Sequence, residues 1–368
     1  MKILELTNYS AGICGVWTRV REEALRLAKK GHEVKVFSSN FVKGGDKIAT
    51  AEERVGEIEI KRFPAWKLGG ESFMKWDFYK EALDFKPDLI IAHSYRHSHT
   101  KKAVGIAQKI GARVFLVTHA PFVEDDITRG FFGKLSVKFY DWFIGPGLLS
   151  KFDKVIAITK WEIPHLLKLG VQRDKIEYVP NGIPEEFFRL GTLSKEERKI
   201  LFLGRVSPVK DLEVLIKAMT FVDGRFNLEI VGPAEEQYRE QLERLVRDLE
   251  LEDRVKFSPA IYDLKEKIRK IDSASVFVLP SKSEAMPQAL IEAMARSKVV
   301  VASDNRGAKD LVEEGKNGFL FRRGDFRELA EKIKLALAGD NNKIKIAAKR
   351  SVEKFNWDNV IKEIERLL

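Results

Sequence analysis

The stretch VFVLPSKSEAMPQALIEAMA (276–295) runs from an apolar segment through a loop into a helix. Val276–Leu279 reads as a short buried strand, and Pro287 favours the first turn of a helix. Glu284 stands in the loop and Glu292 one to two turns into the helix, with no charge between them. In an open α/β sheet, ligands bind beyond the carboxyl ends of the strands. A strand end, a helix N-terminus and two carboxylates at one point therefore mark a candidate site. The competing reading is a solvated Glu on an ordinary helix, and the rest of the chain decides between them.

Working outward, strand-like runs alternate with amphipathic helical ones. Ile3-Leu4-Glu5-Leu6 precedes a Gly-containing loop and a helix from about Thr18 to Lys30. HEVKVFSS, IEIKRFP, PDLIIAHS (87–94), RVFLVTHAP (113–121) and KVIAITK (154–160) follow, and DKIEYVPNGIP closes the first series. KILFLGR (199–205) opens a second series that continues through FNLEIVG, RVKFSPA, SVFVLPS, KVVVAS and GFLFRRGD. Such alternation predicts parallel sheets built from βαβ units. A break near 185–198 predicts two doubly wound, Rossmann-like domains facing a central cleft, 1–190 and 191–354. The amphipathic segment ending the chain offers Phe355, Trp357, Val360, Ile361, Ile364 and Leu367 as one apolar face, so helix 355–368 is expected to pack back on the first domain.

At 368 residues the chain is long enough for two such domains. No apolar run approaches the roughly 20 residues of a membrane span. Cys14 is the only cysteine, which leaves no internal disulfide and no cysteine-based metal cluster. Glu5 interrupts the apolar start, so no signal-peptide layout is read and a cytoplasmic setting is expected. The charge is uneven: residues 1–200 hold 34 Lys and Arg against 26 Asp and Glu. A basic first half points to an anionic partner, phosphate or membrane surface. Without a Lys/Arg-rich run or a recognised motif, no nucleic acid partner is expected.

The second series begins with LFLGRVSPVKDLEVLIKAM, where Arg205 and Lys210 stand between a strand end and a helix. Two cations there suit a diphosphate, helped by backbone N–H groups at the helix start. Alone the pattern is weak, since loop cations are commonly just solvated. With the downstream glutamate pair the chain resembles the family 4 glycosyltransferases, retaining enzymes of the GT-B fold. The resemblance rests on the ordered motifs GHEV, VTHAP, VIAIT, VPNGI, GR followed by Lys, VGP, FVLPS, the Glu-x7-Glu pair and GFLF.

This resemblance implies transfer of a sugar from a nucleotide-sugar, a UDP-sugar or GDP-mannose, to an acceptor hydroxyl with retention. Glu284 would face the donor sugar hydroxyls and Glu292 the ribose. Backbone N–H groups of Met286, Gln288 and Ala289, with Arg205 and Lys210, would hold the diphosphate, so neither metal nor other cofactor is expected. Gly15, in the loop after the first strand, would close near the donor phosphates. His119 would face the reacting sugar, with a satisfied loop histidine as the alternative. Asp310, Ala285 and Gln288 depart from the usual Glu, Gly and Asn, which leaves donor specificity open. An inactive nucleotide-sugar-binding protein or another GT-B enzyme, such as a nucleotide-sugar epimerase, is the rival reading. A dehydrogenase is disfavoured because no G-x-G-x-x-G follows an early strand.

Two further segments draw attention. HSYRHSH carries His93, His97 and His99 without the spacing of a metal motif; His93 is expected to end a strand and line the cleft, the others to be loop residues. RGFFGKLSVKFYDWFIGPGLLSKFDKV (129–155) interleaves aromatics with lysines up to Gly145-Pro146-Gly147, where the helix is expected to stop. It is read either as a helix packed on the core or as a surface for a lipid-linked acceptor, with peripheral contact at the membrane's cytoplasmic face. A soluble glycan or small-molecule acceptor is the alternative, and the packed helix is the reading the sequence favours.

Overall fold

The computed structural model describes residues 1–12, 14–43, 47–67, 73–122, 131–189 and 196–368. The chain divides into two compact units. The first gathers the described residues up to Asn181 together with Val360–Leu368, and the second holds Gly182–Asn359. The expected boundary at residues 190–191 lies outside the described residues.

In the first unit the strands are β1 (Lys2–Thr7), β2 (Glu33–Ser39), β3 (Glu52–Val55), β4 (Ile58–Phe63), β5 (Ala65–Lys67), β6 (Met74–Trp76), β7 (Leu89–His93), β8 (Arg113–Val117), β9 (Lys154–Ala157) and β10 (Ile176–Tyr178). Among the described residues, eight of them form one sheet in the order β10-β9-β8-β7-β1-β2-β4-β3, while β5 and β6 pair separately. All neighbours in the large sheet are parallel except β3 with β4. Helices cover such a sheet on both faces, so its central strands are near-continuous apolar runs. Leu89, Ile90, Ile91 and Ala92 of β7 are all buried. β3, β5 and β6 fall outside the expected strands: β3 reads EERV, three charges on an exposed edge, which offers no apolar signal.

The second unit contains β11 (Lys199–Leu203), β12 (Asn227–Val231), β13 (Val255–Ser258), β14 (Val276–Leu279), β15 (Val299–Ser303) and β16 (Phe319–Phe321). They form one parallel sheet in the order β13-β12-β11-β14-β15-β16. This is the doubly wound order whose direction reverses between the first and fourth strands, here β11 and β14. In the first unit the same reversal falls between β1 and β7. Both sheets thus follow the two-fold α/β pattern expected from the sequence.

Two local expectations change. The helix after β1 starts at Gly15 and ends at Lys29. The segment beginning at Phe131 does not stop at Gly145-Pro146-Gly147. It widens into a π-turn over Tyr140–Ile144 and continues through Gly145–Leu149. Pro146 sits at the start of that last piece, where its missing N–H is not needed. At Gly182 a Cβ would lie 2.4 Å from Cδ2 of Trp357, so the glycine makes room for the indole. Trp357 opens the helix Trp357–Leu367, whose expected apolar face, with Phe355 just before it, is fully buried.

Candidate functional site

The winding reversal in the second unit brings two loops together. β11 and β14 are hydrogen-bonded neighbours, with Leu201 opposite Phe277. The loop after β11 carries Gly204 and Arg205, then a 3-10 turn Pro208–Lys210 leading into helix Leu212–Met219. The loop after β14 carries Ser281 and Glu284. The Lys282 N–H donates to the Val209 carbonyl at 2.8 Å and ties the loops backbone to backbone. Lys210 Nζ then lies 2.5 Å from Glu284 Oε1, and Ser281 Oγ donates to the same oxygen at 2.6 Å. Arg205 is exposed and has no side-chain partner among the described residues. A diphosphate docking here would meet one cation already aimed by a carboxylate and one still free.

Glu284 is held from below by a residue the sequence reading passed over. A Cβ on Gly307 would fall 2.6 Å from the Glu284 carbonyl oxygen and 2.8 Å from that of Ala285. The short helix Arg306–Lys309, capped by Asn305 onto the Ala308 N–H, can approach that loop only because Gly307 has no side chain. The Asn-Arg-Gly run in the sequence carried a cap-plus-glycine signal that was available.

Helix Gln288–Ala295 begins directly after Pro287, placing Gln288 and Ala289 in its first turn and Met286 just before it. The first N–H groups of a helix have no intrahelical acceptor and present partial positive charge. Glu292 is buried in the same helix, its carboxylate 2.6 Å from Lys267 Nζ of helix Leu264–Ser273. Burial raises the Glu292 pKa, and Lys267 opposes that shift. Lys267 was not anticipated, and nothing in the local sequence marks it.

The first unit builds its own constellation at the β1–β7 reversal. Glu5 on β1 and His93 at the end of β7 are fully buried, with His93 Nε2 2.6 Å from Glu5 Oε2. His93 Nδ1 lies 2.9 Å from His119 Nε2. Glu23 and Arg19 on helix Gly15–Lys29 complete the group: Arg19 Nε donates to Glu23 at 2.6 Å, and its Nη1 donates to the Pro180 carbonyl at 2.7 Å. His93 is therefore a core group with both ring nitrogens engaged, not a residue facing solvent. His99 is also buried, in helix Ser98–Ile110, where its Nε2–H donates to the His93 carbonyl at 2.7 Å. Glu5, Glu23 and His93 offer ligand atoms within 4.8 Å of one another. The Arg19 guanidinium, however, already supplies positive charge to the carboxylates.

His119 and Ala120 both adopt left-handed backbones, φ +58° and +52°. Such residues cost on the order of 1–3 kcal/mol each and persist where surrounding groups hold them. Glu162 is that clamp. Its buried carboxylate accepts from the Ala120 N–H at 2.8 Å, the Thr118 hydroxyl, and the Ile158 and Thr159 N–H groups at 2.9 Å. Gly15 is exposed at the head of its helix with open space around it. Gly12, earlier in the same loop at φ +85°, is closely packed instead: a Cβ there would meet the Lys43 carbonyl oxygen at 2.7 Å.

Residues 13–187 match the family model described as Glycosyltransferase Family 4, and residues 184–351 match Glycosyl transferases group 1. An uncharacterized glycosyltransferase of Methanocaldococcus jannaschii is 32% identical over 92% of this chain and 89% of its own length. An uncharacterized glycosyltransferase of Haemophilus influenzae is 29% identical over 59% of the chain, and the match spans 61% of that relative. Among solved structures, Anabaena HepE in complex with UDP superposes with a TM-score of 0.77 at 20% identity, covering 100% of this chain and 99% of the other. At that identity the likeness is one of fold, the GT-B architecture of two Rossmann-like α/β units.

The Lys267–Glu292 pair yields a prediction with a definite sign. Lys267→Ala leaves a buried carboxylate without its cation and should lower stability by about 1–3 kcal/mol at pH 8. Because burial already raises the Glu292 pKa above its unfolded value, the folded state takes up the proton first, and stability falls as pH rises through that window. The loss should therefore shrink at pH 5, as followed by thermal unfolding. A loss independent of pH would contradict this account of the pair.

Proposed function

The chain belongs to the group 1 glycosyltransferases, and from that premise we propose that it moves a sugar from a nucleotide-sugar to an acceptor hydroxyl with retention at the anomeric carbon. The observation that carries the reading is the Lys210–Glu284 contact of 2.5 Å between the loops that follow β11 and β14. Arg205 and Lys210 neutralise the diphosphate as the bond to the sugar breaks, so charge develops against fixed cations. Glu284 orients the sugar hydroxyls, and Glu292 accepts hydrogen bonds from the ribose. N–H groups at Met286, Gln288 and Ala289 add the helix end to the diphosphate site. His119 addresses the reacting sugar by a hydrogen bond. No residue is assigned as nucleophile, since the departing phosphate oxygen can take the acceptor proton on the same face. The UDP bound by the Anabaena protein makes uridine donors the first to test.

Metal independence belongs to the same proposal, because two cations stand where a divalent ion would otherwise neutralise the leaving group. Glu292→Ala should weaken binding of the nucleoside diphosphate by about 1.5–3 kcal/mol in titration calorimetry. Arg205→Ala and Lys210→Ala should depress kcat, and turnover should survive EDTA. Unchanged affinity in the first variant, or loss of turnover in EDTA restored by magnesium, would count against these roles.

We also propose that the acceptor is presented at an anionic surface. Leu135, Phe139, Trp142, Phe143 and Ile144 are exposed, Trp142 by 79%, so these side chains do not pack on the core. Lys138 and Lys151 are exposed on the same stretch of chain. No helix of the described residues is long and apolar enough to cross a membrane. Each lysine near an anionic surface contributes about 1 kcal/mol, and the aromatics supply the apolar part. Co-sedimentation with anionic vesicles at low salt, reduced at high salt and by Trp142→Ser with Phe143→Ser, is expected. Failure to bind anionic vesicles at low salt would leave a soluble acceptor.

A further inference from the structure

The file Glu5–His93–His119, fully buried at Glu5 and His93 and partly exposed at His119, has two contacts, 2.6 Å and 2.9 Å, and His119 Nδ1 at its far end has no partner among the described residues. We propose that Glu5 and His93 are positioning residues that fix the tautomer of His119, so that its Nδ1 presents an N–H donor to a substrate oxygen. The inference rests on His119 serving the transfer site and adds what that ring must be to serve it.

Which imidazole nitrogen carries the proton is set by the hydrogen bond that the other nitrogen makes. A protonated Glu5 donates its O–H to His93 Nε2. His93 then holds its own proton on Nδ1 and donates it to His119 Nε2. That nitrogen is the acceptor, so the His119 proton must sit on Nδ1. An ionised Glu5 reverses every step: it accepts from His93 Nε2–H, His93 Nδ1 accepts from His119 Nε2–H, and His119 Nδ1 becomes a bare lone pair. Removing one proton at Glu5 thus changes the outer end of the file from donor to acceptor, although no side chain moves.

Several observations place the file in its donor form near neutral pH. Glu5 Oε1 and Glu23 Oε1 are both buried and without hydrogen-bond partners. They belong to carboxylates whose ligand atoms lie within 4.8 Å, and two such charges sharing a dry site do not both ionise. Glu23 is the one paired with Arg19, at 2.6 Å, which leaves the proton to Glu5. Burial pushes the Glu5 carboxyl up to about 8, with Arg19 opposing. Burial also keeps both rings neutral: His93 is pulled down to about 4 and His119 well below the usual imidazole range. The charged and titratable groups facing the file are Arg19 and Glu23 from helix Gly15–Lys29, together with His97 and His99 beyond β7. Arg19 also disfavours a divalent cation as the occupant of this pocket, since it would set two cations against each other.

The test uses the full chain with 15N-labelled histidine, the rings assigned through His93→Gln and His119→Gln. At pH 7 the spectra should show the Nδ1–H tautomer for His119, moving to Nε2–H as pH rises through about 8. Over the same range kcat should fall. Glu5→Gln separates this from a structural role, because its amide N–H still donates to His93 Nε2 and cannot ionise. In that variant the Nδ1–H tautomer and the turnover should persist to high pH, whereas Glu5→Leu should lower kcat about tenfold or more at pH 7, where the wild type holds the donor form. An Nε2–H tautomer for His119 at pH 7, or a wild-type alkaline fall in Glu5→Gln, overturns the proposal. A wild-type rate in His119→Ala would instead sink the placement of His119 in the transfer site, and the ring spectra would still decide the tautomer.

Discussion

A doubly wound parallel sheet leaves the carboxyl ends of two neighbouring strands uncovered where its winding reverses, because the connections from those strands run to opposite faces. Both sheets of this protein have one such point, between β1 and β7 and between β11 and β14. In the second unit the uncovered ends carry Lys210 and Glu284, with Arg205 and the start of helix Gln288–Ala295 alongside. In the first they carry Glu5 and His93, with His119 on the loop after β8. The chemistry follows from the topology: polar groups gather where no crossover fills the space.

The two points are solved differently. At β11–β14 the charges stay partly accessible, and the close fit is made by absence of side chain: Gly307 lets a helix reach the carbonyls of Glu284 and Ala285. At β1–β7 the charges are sealed in the core, where an unpaired ion would be untenable. Arg19 offsets one carboxylate, and a shared proton offsets the other. Sealing gives up solvation but fixes hydrogen-bond direction, which an exposed site cannot do. Glu162 performs a comparable service for the strained His119–Ala120 backbone, gathering the loop onto one carboxylate.

Much of the architecture was legible because strands buried on both faces read as unbroken apolar runs; FVLPS and LFLGR announced both the strands and the loops beyond them. Glu284, Glu292, Arg205 and Lys210 were legible because charge at a strand end stands out against such runs. The partners were not, because they arrive from distant parts of the chain. Lys267 meets Glu292 across 25 residues, and His93 meets Glu5 across 88. Glu5 itself was visible, a carboxylate inside KILELT, but periodicity cannot say whether such a residue is a flaw in a strand or the anchor of a buried network. The helix running past Gly145-Pro146-Gly147 was missed for another reason: a π-turn shifts the hydrogen-bond register and so accommodates a residue that would end an ordinary helix.

The central claim is that the Lys210–Glu284 junction is the diphosphate end of a nucleotide-sugar site. A crystal structure of the protein with UDP bound tests it most directly. The account predicts the diphosphate against Arg205 and Lys210 at the start of helix Gln288–Ala295, with the ribose hydroxyls on Glu292 and the Lys210 ammonium drawn from its 2.5 Å contact with Glu284 toward phosphate oxygen. UDP bound elsewhere, with that contact intact and Arg205 still facing solvent, would contradict it.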